Sequence, residues 1–210
     1  VRTRTVVIAS GARYRRLDLA NLAQFEGTSV HYWASPIEAR LCRDQEVALV
    51  GAGNSAGQAA VFLASQVGKV TLLARRGSLH ETMSRYLVER IEAQPNIEVL
   101  AETEIVALDG RESNLERVRW RNRATGTETT RTIRHLFLFI GADPNTDWLA
   151  QGHGLMETSR SGVFAIGDVR CGSIKRVAAA VGEGAQVVAA LHAYLAQNGG
   201  GAQSEQARRS

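Results

Sequence analysis

The sequence predicts an α/β fold built on a parallel sheet. Three observations carry this expectation. Short apolar runs stop abruptly at glycine turns, a small-residue helical stretch follows one such turn directly, and a second apolar run returns within the length of one βαβ unit. The first run, Val6-Val7-Ile8-Ala9, enters the turn Ser10-Gly11-Ala12. Glu46 to Val50 is the next strand, ended by Gly51-Ala52-Gly53, and Ala56, Ala59, Ala60 and Leu63 then stack on one face of a helix from about Ser55 to Gln66. Lys69 to Leu73 is the returning strand. Met83, Tyr86, Leu87 and Ile91 keep helical spacing and are expected to bury one stripe of a helix ending near Gln94-Pro95.

Beyond Pro95 the pattern changes. Ile97 to Leu100 reads as a strand, and Leu115 to Arg123 and Glu128 to Arg134 read as a hairpin joined at 124–127. Leu136 to Ile140 is an apolar run ending at Gly141, and Val163 to Ile166 repeats that pattern before Gly167-Asp168. An alanine-rich helix is expected from Val177 to Leu195, followed by a Gly-rich polar tail, 198–210, expected to be disordered.

Composition excludes several classes. With 44% hydrophobic and 22% charged residues the chain has the balance of a globular cytoplasmic protein. No apolar run approaches the roughly 18 residues of a membrane helix, and Val1-Arg2-Thr3-Arg4 does not read as a signal peptide. Two cysteines, Cys42 and Cys171, cannot form a disulfide scaffold or a C-x-x-C pair, and the five histidines lack metal-ligand spacing. Lys69 and Lys175 are the only lysines, so 25 − 2 = 23 basic residues are arginine. At a net charge of +4 most of these arginines are expected on the surface. Arg117, Arg119, Arg121 and Arg123 alternate, which places them on the solvent face of a hairpin strand rather than in a nucleic-acid stripe.

Gly51-Ala52-Gly53-Asn54-Ser55-Ala56 is a G-x-G-x-x-A sequence between a strand and a helix. There the first glycine makes the tight turn, the second admits a pyrophosphate, and the small third residue lets the helix pack close with its N-terminus facing the phosphate. A dinucleotide site is expected. An NAD-specific fold places an acid at the end of the returning strand, about 20 residues on. Here stand Ala74-Arg75-Arg76-Gly77, and two guanidinium forks suit a 2′-phosphate, so the cofactor is expected to be NADPH. The same stretch also reads Gly53-Asn54-Ser55-Ala56-Gly57, a G-x-S-x-G elbow that would make Ser55 a hydrolase nucleophile with Asp168 and His192. No HGGG-like loop precedes it, and that reading leaves Gly51 and the arginine pair unexplained. In the second half, Asp168 after an apolar strand could take a ribityl or ribose hydroxyl.

In order, Gly51 to Ala56 with Arg75-Arg76, Phe139-Ile140-Gly141-Ala142-Asp143-Pro144-Asn145-Thr146, and Gly162 to Asp168 resemble the thioredoxin reductase-like flavoproteins. Val6 to Ala12 is similar to their first-domain "ATGA" strand. The resemblance implies a Rossmann-like NAD(P)-binding domain inserted into an FAD-binding domain, incomplete here, in a flavoprotein with two dinucleotide-binding domains. Residues 1–27 would be an FAD-domain segment, 28–140 the NAD(P)-binding domain and 141–197 the FAD-domain return. It also implies a homodimer, NADPH and FAD as cofactors, and a redox acceptor the sequence does not identify. Nucleic acid and membrane are not expected partners.

By the resemblance, Gly51, Gly53, Asn54, Ser55 and Ala56 line the NADPH pyrophosphate and Arg75 and Arg76 the 2′-phosphate, with His80 standing at the family's third basic position. Gly11, Ala12, Gly141 and Gly167 would be cofactor-binding, and Asp168 would bind the ribityl or phosphate region of FAD. Arg176, Val177 and Ala178 take the place of the family's R-Q-A segment beside the flavin. The chain departs from the family in three places. Trp33-Ala34-Ser35-Pro36 occupies the region of the C-x-x-C dithiol, which aligns the chain with the dithiol-lacking branch, including reductases fused to cyclic-nucleotide-binding domains and ferredoxin–NADP reductases of this fold. The first glycine-rich loop, for FAD pyrophosphate, is missing, so the chain is expected to be N-terminally incomplete. The stretch from Asp147 to Thr158 is also short. The expected activity is hydride transfer from NADPH to FAD and on to an acceptor, without a dithiol; the competing class is a nucleotide-binding sensor without turnover.

Overall fold

The computed structural model describes residues 2–145, 156–170 and 172–199. The elements in chain order are β1 (Val6–Ile8), β2 (Ala12–Tyr14), α1 (Leu22–Phe25), β3 (Val30–His31), α2 (Pro36–Leu41), β4 (Glu46–Val50), α3 (Asn54–Ala64), β5 (Lys69–Leu73), α4 (Arg85–Glu92) and β6 (Ile97–Leu100). They continue with β7 (Thr103–Arg111), β8 (Asn114–Asn122), β9 (Glu128–Thr132), β10 (Leu136–Leu138), β11 (Ala142–Pro144), β12 (Val163–Ala165) and α5 (Val177–Gly199). Two compact units result, Tyr14–Gly141 and the pair of segments Val1–Arg13 and Ala142–Ser210.

In the Tyr14–Gly141 unit a parallel sheet runs in the order β3-β10-β4-β5-β6. Alternation sends β4 side chains to two faces. Val47 and Leu49 join Val70, Leu72 and Phe137 under α3 and α4, while Ala48 and Val50 face a cluster with Leu136, Leu138, Leu115, Val118 and Trp120. The unit therefore has three layers: helices, the parallel sheet, and the antiparallel sheet β7-β8-β9. Within α4, Leu87, Val88 and Ile91 turn inward, but Tyr86 is 62% exposed and lies under the Arg90 guanidinium instead of in the stripe.

The sequence places the first domain boundary at 27/28, whereas the structure places it at 13/14. Leu22 and Phe25 are the reason, because both are buried in the cluster between the two sheets. The hairpin strands form as expected, with Val118 and Trp120 buried and Arg117, Arg119 and Arg121 outward. Their partner β7 is absent from the elements expected above. A register shift between Ile105 and Ala107 breaks its alternation, which hides the strand from a period-2 pattern. Arg131 fastens β9 to the parallel sheet. It donates to Glu46 (2.8 Å) and Glu98 (2.6 Å) and lies over Trp120, and with Lys69 it holds the Glu98 carboxyl down at about 2.

His31 and His135 sit at the β3–β10 flank, with Nε2 and Nδ1 3.2 Å apart and the rings stacked. Burial lowers both, His135 to about 4, so the native unit holds them neutral. A lowered folded-state value stabilises the fold above the unfolded value near 6.5, and that stability is lost as pH falls towards 4. The melting temperature is expected to drop between pH 6.5 and 4, and by less in His135→Phe. Equal drops in both proteins would remove the pair from the account.

In the second unit β1 pairs in parallel with β12, Val6 opposite Val163. Phe164, Met156 and Val187 pack together, and Tyr194 of α5 meets Phe164 edge-on at 6.0 Å. The helix runs to Gly199, past the expected end near Leu195 and into the segment expected to be disordered; residues 200–210 lie outside the described ones. Among the described residues no helix is long and apolar enough to cross a membrane, and no cluster of three His, Cys, Asp or Glu could hold a metal.

Candidate functional site

The order of the parallel sheet reverses at β4, which has β5 on one flank and β10 on the other. Ligands of open α/β sheets bind at the carboxyl end of the strand where this happens. Here that end is Gly51-Ala52-Gly53. Gly51 is buried at φ +153°, and its N–H donates to Leu73 O (3.1 Å). A Cβ there would meet Phe139 O at 2.6 Å and Ala56 Cβ at 2.8 Å, so only glycine lets the turn pass between β10 and α3. A Cβ on Gly53 would meet nothing within 4 Å, which leaves open space above the turn.

Gly53 is the N-cap of α3 without a side-chain cap, and the first turn of α3 carries no acid. The orphan N–H groups and the positive end of an eleven-residue helix thus face the space over Gly53. This arrangement fits the pyrophosphate of a dinucleotide. Ala56 is fully buried, as the close packing needs. Ser55 is exposed, and among the described residues no histidine or acid hydrogen-bonds to it. The glycine that completes the alternative elbow, Gly57, is accounted for by packing, since a Cβ there would meet Met83 Sδ at 2.6 Å. Asn54 is also exposed, but its side-chain oxygen accepts from the Ser84 N–H (2.7 Å), and Thr82 Oγ1 donates to Ala52 O (2.7 Å). No motif in the sequence signals these two bonds, which close the 78–84 segment onto the glycine turn.

Arg75 and Arg76 are exposed just beyond β5, at the same sheet edge as Gly51. Arg76 pairs with Glu81 at 3.1 Å. His80, at the third basic position, is instead turned to Glu92, 4.0 Å away. Backbone bonds from Thr103 N to Ala74 O (2.9 Å) and Glu102 N to Arg76 O (3.0 Å) fix the arginine segment from the far side.

Ser35 and Pro36, in the region of the expected dithiol, start α2. Ser35 Oγ accepts from Ile37 N–H and Glu38 from Ser35 N–H, a capping box with proline in the first turn. That S-P-I-E signal is legible in the sequence and marks a helix absent from the expected elements. Cys42 is buried, and burial pushes its thiol up to about 12, so it is held as an inert thiol. Cys171 lies outside the described residues.

In the second unit Gly167 has φ +72° and its N–H donates to Glu183 (2.6 Å), which also pairs with Arg170 (2.5 Å). The half-buried Asp168 carboxylate makes no hydrogen bond or ion pair among the described residues. Arg170 Nε and Ser173 Oγ are buried without partners, beside a cavity of about 490 Å³ that Glu183 and Gln186 also line. The unpartnered groups at this cavity fit the hydroxyl-rich part of a dinucleotide such as FAD, and Asp168 is not among the residues that line it. Arg176, Val177 and Ala178 are exposed at the start of α5. Gly11 (φ +71°) and Gly141 (φ +101°) are turn residues whose carbonyls accept from Asn145 N and Arg15 N respectively, and Ala12 begins β2.

The chain is 31% identical over 210 residues to thioredoxin reductase of Ureaplasma parvum, a match covering 93% of this chain and 66% of that protein. It is 30% identical over 206 residues to a component of the alkyl hydroperoxide reductase of Pseudomonas putida, covering 93% of this chain and 39% of the relative. Thioredoxin reductase of Lactococcus lactis superposes with a TM-score of 0.81 at 25% identity, over 93% of this chain and 67% of that one. The chain thus spans from two fifths to two thirds of the proteins it matches. The family model for pyridine nucleotide-disulphide oxidoreductases matches residues 1–184. With a reversed-order parallel sheet, an uncapped helix behind Gly51 and Gly53, and that match across most of its length, the chain belongs to the pyridine nucleotide-disulphide oxidoreductase family.

Proposed function

We propose that the chain is part of an FAD-dependent NADPH oxidoreductase that passes hydride from NADPH through FAD to an acceptor without a C-x-x-C relay. The observation that carries this reading is the uncapped N-terminus of α3 behind Gly51 and Gly53, with Arg75 and Arg76 exposed at the same sheet edge. FAD, when bound, supplies the two-electron chemistry, and the polypeptide binds and orients. Gly53 gives the pyrophosphate its approach and the α3 N–H groups hold it. Arg75 and Arg76 take the 2′-phosphate that separates NADPH from NADH. Asp168 accepts from a ribityl hydroxyl, and Arg170 and Ser173 supply donors at the cavity they line. The inert Cys42 thiol supports an acceptor reached other than by thiol exchange.

The double variant Arg75→Ala/Arg76→Ala tests the cofactor. Titration calorimetry is expected to show NADPH weakened at least about tenfold while NADH changes by less than about twofold, since charge-assisted bonds are lost only to the phosphate ester. Equal losses for both nucleotides would refute the assignment. FAD is tested by the visible spectrum of the purified protein that carries this chain together with an FAD-pyrophosphate loop, where a shifted and structured flavin band is expected and a free-flavin spectrum counts against it.

A further inference from the structure

We propose that Arg123, delivered from the β8–β9 turn, is a third cation for the 2′-phosphate and a determinant of NADPH over NADH. The inference rests on the NADPH reading above and adds to it a residue outside the βαβ unit. Three kinds of observation place Arg123 there. The first is position. The Arg123 N–H donates to Glu102 O (2.6 Å), Glu102 N–H donates to Arg76 O (3.0 Å), and Arg123 Nη1 reaches Arg75 O at 3.4 Å. A residue 47 positions beyond Arg76 in sequence thus lies against the backbone of the arginine pair.

The second is charge. Glu104 faces Arg121 at 2.9 Å and Arg123 at 3.7 Å, and Arg75 also acts on it. One carboxylate therefore serves three guanidiniums. The remaining acids do not redress this: Glu81 is taken by Arg76, Glu128 is shared between Arg119 at 3.8 Å and Arg121, which it faces across the β8–β9 pair, and Glu102 pairs with none of these arginines. Arg75, Arg76, Arg119, Arg121 and Arg123 against Glu81, Glu104 and Glu128 leave 5 − 3 = 2 uncompensated positive charges at this edge. Like charges held together cost stability unless an anion joins them, and a phosphate monoester brings about −1.5 to −2 at pH 7.

The third is vacancy of role. His80, the side chain that sequence position would nominate, faces Glu92 on α4. Arg123 is half exposed, its long side chain is anchored at the backbone by the turn, and a guanidinium can donate to Arg75 O and to a phosphate oxygen at once.

The test uses 2′,5′-ADP and 5′-AMP as probes of the purified full chain by titration calorimetry at low salt, so it needs neither flavin nor turnover. Arg123→Gln is expected to weaken 2′,5′-ADP roughly tenfold and to leave 5′-AMP within about twofold, as loss of one charge-assisted contact predicts. Arg123→Lys, which keeps charge without the fork, is expected to fall between. If Arg75→Gln loses 2′,5′-ADP but Arg123→Gln binds it as the wild type does, Arg123 has no part in the site and the NADPH reading stands. If the wild type does not separate the two probes, the NADPH reading itself fails and takes this one with it. Thermal melts of each variant distinguish lost contacts from lost folding.

Discussion

Replacing Gly51 with alanine is expected to abolish nucleotide binding and to destabilise the Tyr14–Gly141 unit by about 2–4 kcal/mol. The backbone there has φ +153°, which an L side chain rarely adopts. The added methyl would press on the Phe139 carbonyl at 2.6 Å and on Ala56 Cβ at 2.8 Å. Neither neighbour can rotate aside: Phe139 N–H is bonded to Val50 O (2.8 Å), and Ala56 is fixed in the first turn of α3. The glycine turn would shift as a whole and carry the helix N-terminus with it. Gly53→Ala is the matched control, because its Cβ meets nothing. It should unfold within about 0.5 kcal/mol of wild type yet still lose NADPH, since the methyl enters the space proposed for the pyrophosphate. Urea denaturation and calorimetry read the two effects separately. A Gly51→Ala protein as stable as wild type would show that the turn can relax.

Phe25→Ala is expected to cost the same unit about 3–5 kcal/mol. Phe25 is 1% exposed and packs with Leu22, Leu108, Leu115 and Val118 between the two sheets. Its ring edge would lie 2.9 Å from a Cβ on Gly110, so glycine at that point of β7 is what admits it. Truncation leaves a void that β7 and β8, already paired to each other, cannot close. Amide hydrogen exchange should show faster exchange in β4, β5, β7 and β8 with β1 and β12 unchanged. Faster exchange in β1 and β12 instead would return residues 14–27 to the other unit.

These two positions show what can be read from the sequence. Gly51 is legible because its chemistry is local: a strand, a tight turn and a helix within a short span dictate glycine whatever the rest of the chain does. The arginine pair is legible for the same reason, as it sits one strand further along. Phe25 is not, because an isolated aromatic in the short helix α1 shows no period, and its burial is decided by β7 and β8, which lie far along the chain. Nor is β7, whose register shift erases the pattern that marks strands. The resemblance gives Asn54 to the pyrophosphate, yet its bond to Ser84 depends on where α4 starts, which propensity does not settle. In the sequence Arg123 is only a solvated member of an alternating row. Its neighbour Glu102 has φ +50°, a local kink that brings the start of β7 against Arg76.

The bonds from Ser84 to Asn54 and from Thr82 to Ala52 have a consequence for selectivity. They tie the chain after the arginine pair to the turn that precedes α3, while Thr103 and Glu102 clamp the pair from the other flank. The span from Gly53 to Arg76 is thereby tied at both ends. On the NADPH reading proposed above, the pyrophosphate and the 2′-phosphate would bear on two points that the fold holds in place, so the reach of a ligand would be tested together with its charge.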